Sequence, residues 1–304
     1  MASTDPQTVD DVLSGLAGVG YLADEGLATA VFLALSMKRP LLLEGEPGVG
    51  KTEVAKAIGR WTGGELIRLQ CYEGLDAAQA LYEWDYPRQL LHLRAAEAAG
   101  AASGGVEALE GELYDERFLV RRPLLKAIDH HDGARPILLV DEIDRADDEF
   151  EAFLLEVLAD YSVTVPELGT FRAEVAPIVI VTSNRTRDVH DALKRRCLYH
   201  WVEHPDLERE VAVVRSRIPG VDELLARQVA ALAAELRGFG LYKPPGIAET
   251  IDWTQALLAL GHSELTAESA SVTLGAVLKY REDVERVRRH GLVELVDASH
   301  SRMG

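Results

Sequence analysis

The chain has 304 residues, 47% of them hydrophobic, enough for a substantial core and for two domains rather than one. Its 50 acidic against 32 basic residues give a formal charge of -18, which argues against free nucleic acid or an anionic membrane as a main partner. Two cysteines, Cys71 and Cys197, lack metal-ligand spacing and are too few for a disulfide framework, so both read as ordinary buried thiols and a reducing cytoplasm is the expected compartment.

Met1 to Pro6 are polar and acidic, without the basic-then-apolar order of a signal peptide, and the apolar stretch Ala28 to Leu35 is too short to span a bilayer. Residues 8 to 38 read as helices, with Val12, Leu16, Val19 and Leu22 on one stripe and Leu27, Val31 and Leu35 on another. The apolar run Leu41-Leu42-Leu43 then leads into Gly45-Glu46-Pro47-Gly48-Val49-Gly50-Lys51-Thr52, and a helix carrying Val54, Ile58 and Trp61 follows. Strand, glycine loop and helix in this order form a phosphate cradle, because the glycines let several backbone N–H groups converge on one anion at a helix N-terminus. Lys51 would reach the outer phosphates of ATP, and the Thr52 hydroxyl would complete the shell of a Mg²⁺ ion. In this setting Tyr21 and Leu22, just upstream, either touch adenine or pack in the core.

Gly63-Gly64 interrupts the pattern, and Leu66 to Leu69 reads as a second strand. Ala77 to Arg94 is ambiguous between helix, short strand and loop and reads as an insertion; Ala95 to Gly105 reads as a flexible bend. A helical pattern spans Phe118 to Ile128, closed by His130-His131-Asp132-Gly133, where adjacent histidines point to different faces and suit a solvated cap better than a metal. Pro136 to Val140 is a wholly apolar strand of the buried parallel kind, ending in Asp141-Glu142-Ile143-Asp144. A carboxylate at such a strand end, beside the cradle strand, is placed to hold Mg²⁺ through water, which assigns Asp141. Glu142 next to it would polarise an attacking water, the step that separates a hydrolase from a binder.

Phe150, Phe153, Leu154, Val157 and Leu158 mark a one-faced helix. Val163 to Ala173 reads as a hairpin without a core of its own, projecting from the sheet. Ile178 to Thr182 is a third buried strand ending in Ser183-Asn184, where Asn184 orients the lytic water, touches the γ-phosphate or caps a helix. Arg195 and Arg196 precede a last strand, Leu198 to Val202; a guanidinium there can neutralise charge on a transferring phosphoryl group, or the cluster is a solvated turn. After Pro205 the alternation ends. Stripes at Leu207, Val211, Val214 and Ile218, at Leu225, Val229, Leu232 and Leu236, at Ile247, Ile251 and Leu258, and at Leu278, Val284 and Val287 read as an all-helical domain, and Gly291 to Gly304 as a frayed end.

The order of these parts resembles an AAA+ ATPase, a P-loop fold with a parallel five-stranded sheet flanked by helices and a C-terminal helical lid. The wording Arg39-Pro40-Leu41-Leu42-Leu43-Glu44 through Thr52, together with Ala192-Leu193-Lys194-Arg195-Arg196-Cys197, is most similar to the MoxR family and its CoxD-type group, associated with carbon monoxide dehydrogenase and other molybdenum hydroxylases. The resemblance covers about residues 20 to 262. With the alternation ending at Pro205, the chain divides into a nucleotide-binding domain over 1–205, a helical lid over 206–290 and a tail over 291–304. The resemblance implies that Gly45 to Thr52 are Walker A, Asp141 and Glu142 Walker B, Asn184 sensor 1, and Arg195 or Arg196 the finger that reaches a neighbouring subunit's nucleotide in a ring, most often a hexamer. Leu81 to Leu93 would be the helix-2 insert and Val163 to Ala173 the pre-sensor hairpin. A von Willebrand A-type partner and a metalloenzyme client, helped to take up its metal cofactor, follow from the same resemblance. One departure stands out: where many relatives carry Ser-Pro-Arg in the lid, this chain reads Pro244-Pro245-Gly246-Ile247, with Lys243 and Arg237 the cations that would substitute. Two rival readings remain at this stage, a P-loop kinase and a nucleic-acid-directed motor, the latter disfavoured by the net charge.

Overall fold

The structure is a computed structural model that describes residues 6–98, 111–131 and 133–301. Contacts divide the chain into two compact units. The first gathers the chain up to residue 12, residues 25–44 and 55–200; the second holds 13–24, 45–54 and the chain from 201 onward.

The first unit is built on a five-stranded sheet in the order β2-β5-β8-β1-β9, with β1 at Leu41–Glu44, β2 at Leu66–Gln70, β5 at Ile137–Asp141, β8 at Ile178–Ser183 and β9 at Leu198–Trp201. β1, β5 and β8 are buried at every position, which is why they read as continuous apolar runs; β2, at the edge, alternates. Parallel register sets Leu41 beside Ile180, Glu44 beside Ser183, Val140 beside Val181 and Gln70 beside Asp141. The carboxyl ends of β1, β8, β5 and β2 therefore line up along one edge, and the glycine loop begins one residue beyond Glu44. Helix α2 (Glu25–Met37) leads into β1, and α7 (Asp148–Asp160) covers the sheet with Phe150, Leu154, Val157 and Leu158 in the main core.

Two expectations for this unit need correction. Phe118 to Ile128 is not one helix: a 3₁₀ turn over Glu116–Phe118 gives way to strand β4 (Leu119–Arg121), and only Pro123–Ile128 (α6) is helical. Proline fits only the first turn of a helix, and Leu119, Val120 and Arg121 pair antiparallel with Trp84, Glu83 and Tyr82 of β3 (Tyr82–Trp84), so tertiary pairing overrides the spacing. The hairpin β6–β7 (Ser162–Val165, Gly169–Arg172) does not lack a core: Val163 joins the main cluster, and fully buried Val165 packs with Trp84, Phe118, Leu119 and Leu125. The stretch left ambiguous resolves into all three types, a helix over Ala77–Leu81 (α4), β3, and a helix over Tyr86–Ala98 (α5), so Ala95 to Ala98 continue a helix; residues 99–105 of the expected bend, and Asp132, lie outside the described residues. His131 is exposed and paired with Asp129 at 2.7 Å, and no group of three metal-ligating side chains exists among the described residues.

From residue 201 onward the second unit is helical: α9 (Leu207–Arg217), α10 (Glu223–Arg237), α11 (Ile247–Ala259), α12 (Ala267–Val277), α13 (Arg281–His290) and α14 (Leu292–Ser301). Trp253 is fully buried at its centre, its indole N–H donating to Thr273 Oγ1 at 2.7 Å. The expected fourth stripe splits, because Leu278 is the extended C-cap residue of α12, a helix marked instead by the Thr266/Ser269 capping box. Gly291 to Ser301 is not a frayed end either: Leu295 and Val296 of α14 are each 5% exposed and belong to this unit's core.

Candidate nucleotide site

The glycine loop leaves β1 with Gly45 pressed against the chain at Val202, where a Cβ would lie 2.4 Å from the Val202 carbonyl oxygen. Gly48 and Gly50 take φ of +85° and +95°, a backbone path that side-chain-bearing residues rarely follow. Val49 is buried while Glu46, Pro47 and Gly48 are exposed. Lys51, 6% exposed, folds its ammonium into the loop and donates to the carbonyls of Gly45 and Glu46, each at 2.8 Å. Thr52 sits beside it in the first turn of α3 (Lys51–Thr62). His204 Nε2 lies 3.2 Å from Glu46 Oε2, while its Nδ1 is buried without a partner. Burial, followed by the nearby Arg237 cation, lowers the His204 pKa against the opposing pull of Glu46.

Upstream, Leu22 lines a cavity of ≈ 510 Å³ together with Ala212, Arg215, Ser216, Gly220 and Val221. Its carbonyl accepts two bonds from Arg209, at 3.0 and 2.7 Å, and Arg209 also pairs with Asp24 at 2.6 Å. Tyr21 beside it has its phenol pKa pushed up, chiefly by burial.

Along the sheet edge, Asp141 is 2% exposed and its two oxygens are held differently. Oδ1 accepts from the Thr182 hydroxyl at 2.6 Å; Oδ2 accepts from Arg68 Nε and Nη2 at 2.9 and 2.6 Å. Glu142 follows in a left-handed backbone conformation, φ 57° and ψ 53°, a strain of about 1–3 kcal/mol for a residue with a side chain. The strain is held by its amide, which donates to Thr182 Oγ1 at 2.9 Å, and it turns the carboxylate between Gln70 Nε2, 3.0 Å from Oε2, and Asn184 Nδ2, 3.3 Å from Oε1. Arg145 Nη1 stands 3.5 Å from Oε2. One third of the Glu142 side chain remains exposed.

Asn184 is not a helix cap: the helix that follows, α8 (Asp191–Arg196), is capped by His190, and the Asn184 backbone N–H donates to Asp144 Oδ1 at 3.1 Å. Asp144, 3% exposed, also accepts the amide and hydroxyl of Thr186 at 2.9 and 2.6 Å, which pins the loop after β8. Arg195 and Arg196 are both exposed at the end of α8, where Arg39 donates to the carbonyls of Arg195 and Arg196 at 2.9 and 3.0 Å and so fixes the backbone from which the two side chains project. Cys71 and Cys197 are buried thiols whose pKa values burial pushes up to about 12.

The tertiary structure thus adds Arg68, Gln70, Thr182 and Asp144 to the expected residues. Arg68 and Gln70 stand two apart on β2, Arg68 also donates to Gln70 Oε1, and register places Gln70 beside Asp141, but a polar i, i+2 pair on an edge strand looks in sequence like an ordinary solvated face.

Of Lys243 and Arg237, Arg237 is already engaged: it clasps both oxygens of Glu210 at 2.7 and 2.5 Å and donates to the Pro245 carbonyl at 2.8 Å.

Residues 40–197 match the family model of the AAA domain (dynein-related subfamily), so more than half of the chain belongs to that family, and the protein is an ATPase of the AAA type. Among solved structures, a Thermotoga maritima RuvB mutant is similar at TM-score 0.50 and 14% identity over 92% of this chain and 75% of that one. RuvB of the same organism, described as a Holliday junction branch migration motor, scores 0.46 at 14% identity over 90% and 72%. A Cytophaga hutchinsonii protein assigned as an ATPase scores 0.48 at 12% identity over 96% and 93%. At 14% identity the likeness to the first of these is one of fold.

Proposed function

Starting from an ATPase of the AAA type, we propose that this chain hydrolyses ATP with Mg²⁺ and works as a cytoplasmic ring, most often a hexamer, that remodels a client protein. The observation that carries the reading is the strand edge, where β1 runs straight into the glycine loop and, in register beside it, β8 and β5 end in Asn184 and in Asp141-Glu142. The donor set suits a metal-bound triphosphate: a backbone cradle with an ammonium folded into it, a helix-turn hydroxyl, and a carboxylate at the end of β5. Thr52 and Asp141 are the residues that would hold Mg²⁺, Asp141 through water, and the ion would supply positive charge against the phosphates.

Gly45, Glu46, Pro47, Gly48, Val49 and Gly50 supply the loop that wraps the phosphates, and Lys51 counters their charge. Glu142 accepts a proton from the attacking water, oriented by Asn184 and Gln70 on either side of its carboxylate. Arg195 or Arg196, projecting into solvent from a pinned backbone, serves the nucleotide of a neighbouring subunit. The cavity under Leu22 receives the base.

The wording of the glycine loop and of Ala192 to Cys197 supports the MoxR family and its CoxD-type group, hence a metalloenzyme client and a von Willebrand A-type partner. Tyr86 and Leu91 of α5, each 68% exposed, add apolar surface suited to a polypeptide. The test is phosphate release by the wild type and by Glu142→Gln, with and without Mg²⁺, beside direct nucleotide binding. Binding should survive while turnover drops roughly 10²–10⁴-fold; unchanged turnover removes Glu142 as the base, and ADP formation that requires an added acceptor and yields no free phosphate turns the reading to a kinase.

A further inference from the structure

The glycine loop is met from behind by a turn that replaces the expected Ser-Pro-Arg. Gly48 and Gly246 touch backbone to backbone: a Cβ on Gly246 would lie 2.6 Å from Gly48 Cα and 2.7 Å from its carbonyl oxygen, and a Cβ on Gly48 would lie 2.9 Å from Gly246 Cα. The Ile247 amide donates to the Gly48 carbonyl at 3.0 Å. Gly246 has φ −89° and ψ −174°, a conformation open to any residue, so the need for glycine there comes from the proximity of Gly48 alone.

The turn is braced by side chains of its own unit. The Pro245 carbonyl accepts from Arg237, whose guanidinium is clasped by Glu210, and Glu210 also accepts the Thr250 hydroxyl at 2.7 Å; Glu210 and Thr250 are wholly buried. Glu249 caps the Gly246 amide at 3.0 Å. A buried, hydrogen-bonded pair of this kind resists disruption, whereas Gly48 is exposed. A group inserted between the two glycines therefore moves the loop.

We propose that the Pro245-Gly246 turn is a positioning element for the phosphate loop, linking the order of α11 to nucleotide binding through a glycine pair in place of the absent arginine. The inference rests on the nucleotide reading of the loop. Because the contact fixes the path of Gly48, whose amide belongs to the cradle, displacing it spoils the convergence of N–H groups on the phosphates and weakens binding before it touches chemistry.

The test titrates the full chain with a fluorescent ADP analogue, comparing wild type, Gly246→Ala and a control, Gly275→Ala, whose added methyl meets open space within α12. Gly246→Ala should bind about tenfold or more weakly, and the control within about twofold of wild type, with both variants folded by circular dichroism. A folded Gly246→Ala with wild-type affinity overturns the proposal; a wild type that binds no nucleotide overturns the underlying reading instead. Hydrogen exchange on the wild type decides the matter even where Gly246→Ala fails to fold. ADP should slow exchange over both residues 45–52 and residues 245–250, and slowing confined to residues 45–52 sinks the linkage.

Discussion

The Thr182 hydroxyl donates to Asp141 Oδ1 at 2.6 Å while accepting the amide of Glu142 at 2.9 Å, so one side chain of β8 sets two consecutive carboxylate residues, the last of β5 and the one after it. Thr182→Val keeps the volume and removes both bonds. It takes one hydrogen bond from a buried carboxylate oxygen and one from a backbone N–H, for a loss of about 1–3 kcal/mol of stability by denaturant unfolding. ATP turnover should fall far more than nucleotide affinity, because the cradle keeps its own contacts. Full turnover in a folded Thr182→Val would show that the placement of Asp141 and Glu142 is not limiting.

The C-terminal helix is a structural member of the second unit. Leu295 is 5% exposed within a core that includes Val229, Leu232 and Trp253. Leu295→Ala should cost about 2–5 kcal/mol by denaturant unfolding, whereas a frayed end would lose nothing measurable.

His204 gives the second unit a pH dependence of defined sign. Its folded pKa lies below the usual histidine value because of burial and Arg237, opposed by Glu46 and Glu210, so its neutral form is favoured in the folded chain. A depressed pKa means that the unfolded chain binds the proton first as pH falls, so stability is retained above about pH 6.5 and lost below it as the folded pKa is approached. Melting temperatures from pH 8 to 5 should fall more steeply for the wild type than for His204→Gln. Parallel curves would remove His204 as the source.

Arg195 and Arg196 should act across a subunit boundary. A double Arg195→Ala, Arg196→Ala variant and a Lys51→Ala variant should each be nearly inactive alone. Mixed in equal amounts, they should recover a measurable fraction of ATPase activity, because intact loops then meet intact arginines. No recovery on mixing, with assembly confirmed by light scattering, would show that the arginines do not act across the boundary.

The uninterrupted apolar runs Leu41 to Leu43, Ile137 to Val140 and Ile178 to Val181 announced a parallel sheet covered on both faces, since strands buried on both faces must read that way. The glycine loop was equally plain, because phosphate cradles depend on local backbone freedom and local order. Phe118 to Ile128 was misread because pairing with β3 lies more than 30 residues away and outweighs helical spacing.

By itself, the sequence determined the elements whose physics is local: the buried strands, the glycine turn and the amphipathic helices. Only the tertiary structure decided what surrounds them. Arg68, Gln70 and Thr182 reach Asp141 and Glu142, Arg237 is claimed by Glu210, and Gly48 meets Gly246, because each of these relations joins residues far apart in the chain and depends on register and on which backbone can come close.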